Sequence, residues 1–348
     1  LLVGDRLLGH QVNKQRKIYL MFKWGIIGTG GIAKAFANDL QYLEGHQVKA
    51  VASRTKENAT NFSLKYNKCI AYDNYEAFVQ DSSLDGIYVA TPNHLHLEHT
   101  LLALNAGKPV LCEKPFAMNS YEVQLMVDTA RRKNVLLVEA MWARFLPHMI
   151  HVKKIVESGI LGNILSLQAD HGQKLTHFKN PRLWNLEYGG GALLDLGIYI
   201  VSFAHLILGK PEKIMASSTF NAKDIDTQTS AIFDYGNGTQ AILNCTLSNT
   251  TPCRSVISGD QGYLEIDPIF YAPSSFKVTL NNGEVLEYLK DYSGHGLREQ
   301  ALEFSRCIKK GLKETPLLRH IESLQVMNSM DQIRKKVNLK FPSEKILD

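Results

Sequence analysis

The sequence predicts two folded units: an α/β unit with a doubly wound parallel sheet, then an α+β unit built on an open-faced, mostly antiparallel sheet. Three observations carry this. Up to about residue 140, short apolar strands alternate with longer helices, the pattern a parallel sheet with crossover helices requires. Beyond that point strand-like segments follow one another through tight turns, with hairpin signals at Tyr235-Gly236-Asn237-Gly238 and Asn281-Asn282-Gly283. A chain of 348 residues is also long for one core, so two domains are expected.

In the first unit, 21–140, the apolar run at 24–27 is a buried strand, and a helix follows the glycines at 28–33 and reaches about residue 43. Strands are expected at 48–52, 85–90, 108–112 and 135–138, with helices at 56–66, 95–106 and 119–133 between them. In the second unit, 141–348, a helix at 147–158 leads into strands at 164–169, 213–219, 229–234, 239–247, 263–266, 277–280 and 285–289. Amphipathic helices at 296–311 and 319–336 close the chain. Residues 1–20 mix basic and apolar side chains without the apolar core of a signal peptide. They read as an extension ahead of Met21, expected to be poorly ordered.

Composition narrows the function. The net charge of +5 is spread along the chain, with no basic block of the kind that binds nucleic acid; Arg131-Arg132-Lys133 reads as the solvated end of a helix. No run of about 18 apolar residues is apparent, so no membrane partner is expected. Five cysteines, an odd number with no CxxC pair, fit a reducing compartment, the cytoplasm.

The glycine pattern Gly28-Thr29-Gly30-Gly31-Ile32-Ala33 follows a strand and opens a helix, the context in which such a loop cradles a pyrophosphate on a helix N-terminus. A Rossmann-type dinucleotide site is therefore expected here. At the end of the next strand an NAD site places an acid for the ribose 2′-hydroxyl, but this chain has Ser53 and Arg54. Arg54 suits a 2′-phosphate and favours NADP; if it stacks on the adenine instead, NAD also binds. Lys114, in Glu113-Lys114-Pro115, falls at the carboxyl end of a strand, where open α/β sheets hold ligands. Asp195 and Tyr199, after the glycines at 189–191, share a face if that segment is helical. A lysine ammonium beside Tyr199 should lower the tyrosine pKa. His94, His96 and His99 lack a carboxylate or cysteine at zinc spacing, so no metal is expected.

These motifs, with Ala90-Thr91-Pro92-Asn93 and Glu322-Ser323, together resemble the glucose–fructose oxidoreductase, inositol dehydrogenase and MocA family over about residues 22–340. The resemblance implies an NAD(P)-dependent oxidoreductase whose open sheet makes dimer or tetramer contacts, with Lys114 before a cis-proline and Asp195 as the motif aspartate. Tyr199 stands where many members carry histidine. The segment Glu139 to Phe145 is similar to the branch holding dimeric dihydrodiol dehydrogenase and NADP-linked D-xylose dehydrogenase, where a tyrosine at this position is the proposed acid/base. By this resemblance Tyr199 exchanges the proton, Lys114 assists it, and Asp195 orients substrate or lysine. Thr91, Pro92 and Asn93 border the nicotinamide ribose, and Trp142 and Arg144 line the substrate side. The expected substrate is a vicinal diol, polyol or sugar. An NAD-dependent inositol-type dehydrogenase and a non-catalytic NADP-binding sensor are the alternatives at this level.

Overall fold

A computed structural model describes residues 21–175 and 182–342; the expected extension at 1–20 lies outside the described residues. The first unit runs β1 (Phe22–Ile27), α1 (Gly31–Asp39), β2 (His46–Ala52), α2 (Lys56–Ser63), β3 (Ile70–Tyr72) and α3 (Tyr75–Val79). It continues through β4 (Gly86–Val89), α4 (His96–Asn105), β5 (Val110–Glu113), α5 (Ser120–Lys133) and β6 (Leu137–Ala140). All pairs are parallel in the order β3-β2-β1-β4-β5-β6. The order reverses between β1 and β4, and the crevice at their carboxyl ends is where ligands bind in such sheets. β1, β4 and β5 are buried on both faces, which is why they read as continuous apolar runs.

Two elements of this unit escaped the sequence reading. β3 is three residues of mostly exposed edge strand, and α3 is one short turn; neither carries a periodic pattern. β6 begins two residues later than expected because Asn134, at φ 55°, ends α5 and Val135 still bonds back to Ala130. Arg131, Arg132 and Lys133 do form the exposed last turn of α5, where cations complement the helix dipole.

The second unit holds α6 (Pro147–Glu157), β7 (Ile164–Gly172), α7 (Ile198–Leu208), β8 (Lys213–Phe220), β9 (Asp226–Asp234) and β10 (Gln240–Thr246). β11 (Ser255–Gly259), β12 (Gly262–Ile266), β13 (Phe276–Leu280), β14 (Val285–Tyr288), α8 (Arg298–Lys309) and α9 (His320–Val337) complete it. The sheet order is β14-β13-β12-β11-β7-β10-β9-β8. β11 went unread from sequence. One pair, β7 with β10, is parallel, because the chain leaves β7, builds α7 and the β8–β9 hairpin, and returns beside its starting strand. Helices α7 and α9 cover one face of this sheet. Along the other face Met215, Ile232, Ile242, Gln168 and Val256 lie in one cross-strand register.

The stretch Leu186–Leu208 is long and apolar enough to cross a bilayer, contrary to the sequence reading, but 78% of its apolar 18-residue window is buried in the protein. It packs against β7, β10 and α9, which accounts for its apolar composition as core.

Long-range hydrogen bonds lock the two units together. The buried Asp39 carboxylate accepts the backbone N–H groups of His295, Gly296 and Arg298 at 2.7, 2.8 and 3.1 Å, capping α8 from the end of α1. From α9, Asp331 accepts the Ser120 N–H at 2.8 Å and Arg334 donates to the Met118 carbonyl at 3.0 Å. His320 meets the Leu137 carbonyl at 2.8 Å. The two units are therefore joined by bonds to both α8 and α9.

Candidate active site

The cleft has a volume of about 510 Å³ and is lined by the glycine loop, residues 90–93, Glu113, Lys114, Arg182, Asp195 and Tyr199 among others. Its floor is the loop from β1 to α1. Gly28 adopts φ +110° with its α-carbon facing the next loop, where a Cβ would stand 2.6 Å from the Ala90 carbonyl oxygen. Gly30 and Gly31 have open space where side chains would be. Gly30 also leaves the start of α1 without a side-chain cap, so the first-turn N–H groups face the cleft and are free for phosphate oxygens. Ala33 is fully buried under the helix, and Ile32 lines the cleft. These residues fit the pyrophosphate of a dinucleotide. Beside them Ser53 is buried with its hydroxyl 3.5 Å from that of Thr29, and Arg54 stands exposed after β2.

The opposite wall comes from the strand ends. His96, at the start of α4, meets the Pro115 and Thr91 carbonyls at 2.8 Å each, tying the Thr91-Pro92-Asn93 turn to the loop after β5. Asn93 both lines the cleft and donates to the Gly189 carbonyl at 3.2 Å, across the two units. The Lys114–Pro115 peptide is cis. Glu113 is buried, accepts the Tyr88 hydroxyl and takes the Lys114 N–H at 3.3 Å. Burial pushes its carboxyl up to about 7 despite the Tyr88 bond and the Lys114 charge.

Lys114, Asp195 and Tyr199 converge. Asp195 sits in a π-helical turn, Leu193–Gly197, that runs directly into α7, so Asp195 and Tyr199 do share the cleft side. The Lys114 ammonium donates to the Asp195 main-chain carbonyl at 3.0 Å and lies 3.9 Å from its Oδ1. It also rests 4.5 Å from the centre of the Tyr199 ring. Burial lowers the Lys114 pKa below the usual lysine range, against the pull of Asp195 and Glu113. For Asp195, burial acts upward, but Lys114 and Arg182 outweigh it and hold the carboxyl low.

Three expectations need correction. The Tyr199 pKa is raised, not lowered: burial dominates, and the ammonium lies over the ring face instead of at the hydroxyl. Tyr199 in this setting is a proton-bearing donor. Trp142 does not line the cleft; 4% exposed, it stands behind Tyr199 and donates its indole N–H to the hydroxyl oxygen at 2.8 Å. Arg144 is turned inward as well, bonding the Ser202 carbonyl at 3.1 Å and pairing with Glu322 at 2.6 Å. The short 3-10 turn Trp142–Phe145 buries both side chains, Trp142 against Tyr199 of α7 and Arg144 between α7 and α9.

Arg182 was missed. Its guanidinium donates to Asp195 Oδ1 at 2.7 Å and lines the cleft. It lies thirteen residues ahead of Asp195 in an aperiodic loop, so no spacing rule pointed to it. His171 is a packing residue: fully buried, it stacks on Tyr271 at 4.0 Å between ring centres, with Nδ1 3.2 Å from the Leu196 carbonyl.

A glycine loop at a switch point, facing a lysine, a carboxylate and a tyrosine, defines a dinucleotide-dependent oxidoreductase. Comparison with known proteins agrees. Residues 22–141 match the family model described as an oxidoreductase family with an NAD-binding Rossmann fold, and residues 149–265 match the GFO/IDH/MocA C-terminal domain. The chain is 36% identical over 338 residues to a trans-1,2-dihydrobenzene-1,2-diol dehydrogenase of Mus musculus, covering 94% of this chain and all of that one. It is 33% identical to the enzyme so named from Xenopus tropicalis, covering 92% and 99%. Among solved structures, a 3-ketoreductase from Actinomadura kijaniata crystallised with NADP superposes with a TM-score of 0.81 at 24% identity, covering 91% of this chain and 98% of that one. An aldose-aldose oxidoreductase from Caulobacter crescentus superposes equally well over the same shares, again at 24% identity. The chain belongs to the GFO/IDH/MocA family and is a nicotinamide-dependent oxidoreductase.

Proposed function

We propose that this enzyme is an NADP-dependent dehydrogenase of vicinal diols, polyols or sugars. The observation that carries the reading is the meeting of Lys114, Asp195 and Tyr199 at the carboxyl ends of the parallel strands, beside the open glycine loop. Arg54 and the absence of an acid after β2 support NADP over NAD. A nicotinamide held there supplies the hydride acceptor for alcohol oxidation. The chain supplies the rest. Lys114, whose ammonium is weakened by burial, takes the hydroxyl proton as the neutral amine. Tyr199 keeps its proton and donates to the oxygen as charge builds there, because Trp142 already occupies its oxygen from behind. Asp195 anchors Lys114 through its main-chain carbonyl.

The relatives' names support a diol substrate, and the fold neighbours are consistent with sugars. The uncovered sheet face, with Met215 and Ile242 each about half exposed, supports a homodimer or homotetramer formed through it. All five cysteines are buried free thiols, which supports a cytoplasmic setting. The test is NADP reduction with trans-1,2-dihydrobenzene-1,2-diol, D-xylose and a panel of inositols and aldoses. Turnover of a diol or sugar that Lys114→Met abolishes is expected. Parent-like rates in that variant, or no turnover across the panel, would overturn the proposal.

A further inference from the structure

The pairing around Asp195 is asymmetric. One carboxylate oxygen receives two cations, but Arg182 holds it at 2.7 Å while the Lys114 ammonium stands off at 3.9 Å. Lys114 makes its hydrogen bond to the uncharged main-chain carbonyl of the same residue instead. The turn that follows Arg182 is closely packed. Gly190 and Gly191 donate to the Asn185 and Leu183 carbonyls at 3.0 and 3.1 Å, and a Cβ on Gly190 would stand 2.6 Å from the Arg182 carbonyl oxygen. A guanidinium presents its donors in a rigid fork that suits a carboxylate.

The other groups facing Lys114 do not make up the deficit. Glu113 is driven up to about 7 by burial, so its negative charge is incomplete near neutrality. His171 is held neutral, about 3, chiefly by burial and then by Lys114 itself. Tyr199 is a neutral phenol presenting its ring face, and the buried His96, about 4, is neutral too. Two cationic side chains thus share one carboxylate oxygen in a cleft where both partners of the Lys114–Asp195 pair are about one-seventh exposed (13% and 14%).

We infer that Arg182 is a positioning residue for the reaction: by claiming the Asp195 carboxylate it leaves Lys114 under-compensated and thereby sets that lysine's proton affinity. The inference rests on the proposed role of Lys114 in proton exchange. With glutamine at 182, Asp195 is released to Lys114 and a neighbouring positive charge disappears. Both changes favour the ammonium. The sign follows: the Lys114 pKa rises, and oxidation, which needs the free amine, is lost at a higher pH than in the parent.

The test is the pH profile of kcat/KM for NADP-linked oxidation in R182Q, R182K and K114M, using trans-1,2-dihydrobenzene-1,2-diol or D-xylose. The acid limb should move up by about one pH unit in R182Q, the scale of one opposite charge at this range. In R182K, which restores the charge, the limb should return towards the parent position. A uniform loss of rate in R182Q with an unmoved limb would show a purely structural role and overturn the inference. K114M keeps the two ideas apart: an acid limb that survives in K114M strikes the reading of Lys114. Turnover abolished in K114M, with the limb unmoved in R182Q, strikes Arg182 alone. A readout independent of turnover is the pH midpoint for labelling Lys114 with trinitrobenzenesulfonate in the full chain, followed by peptide mass spectrometry. That midpoint should rise in R182Q, and an unchanged midpoint overturns the inference.

Discussion

The Trp142–Tyr199 contact separates what the tyrosine hydroxyl does for the fold from what it does for the reaction. Replacing Tyr199 with phenylalanine removes one oxygen, leaves the ring contacts to His171 and Tyr271 in place, and strands the buried indole N–H of Trp142. An unsatisfied buried donor costs about 1–3 kcal/mol, and losing one preorganised donor to a developing oxyanion costs about 10²- to 10³-fold in kcat. Trp142→Phe keeps the hydroxyl but lets it turn, so its rate loss should be smaller, about tenfold for one lost neutral hydrogen bond. The double variant removes donor and acceptor together. Its destabilisation should therefore fall short of the sum of the singles by about 1 kcal/mol, while its rate should match Tyr199→Phe. Thermal melts, NADPH titrations and steady-state kinetics on the four proteins read this cycle. Parent-level kcat in Tyr199→Phe, or additive stabilities in the double variant, would refute the reasoning.

Two further outcomes follow from the structure. Arg54→Ala should weaken NADPH on the order of 10- to 100-fold, the scale of one charge-assisted phosphate bond, and leave NADH nearly unchanged; fluorescence titration with both cofactors checks it, and equal losses would point to adenine stacking instead. Ile242→Arg places a charge on the uncovered sheet face and should convert the proposed oligomer to monomer in sedimentation velocity, with near-parent melting. A parent chain that is already monomeric would remove the basis for that expectation.

The local patterns were legible because each reflects a short-range constraint. The buried parallel strands, the glycine turn before α1 and the hairpins at 235–238 and 281–283 are set by neighbours in sequence, and so could be read from it. So could the placing of Lys114 at a strand end and of Asp195 and Tyr199 on one helical face. β3 carries too few residues to show a period, β11 offers only two adjacent apolar residues, Val256 and Ile257, and no alternation, and the parallel β7–β10 pair depends on a chain reversal spanning three intervening elements.

What the sequence determined by itself is the cofactor cradle and the cast of polar residues: Gly28 at φ +110°, Arg54 beyond β2, and the lysine, aspartate and tyrosine of the cleft. Tertiary structure decided how that cast divides its work. Trp142 reaches Tyr199 across 57 positions and Arg144 finds Glu322 across 178, so two residues expected at the substrate turn out to hold the site from behind. Burial, which no spacing records, raises Tyr199 and lowers Lys114, reversing their expected exchange of influence. Charge and shape are written residue by residue, but desolvation and the competition of Arg182 with Lys114 for one carboxylate exist only once distant segments have packed together.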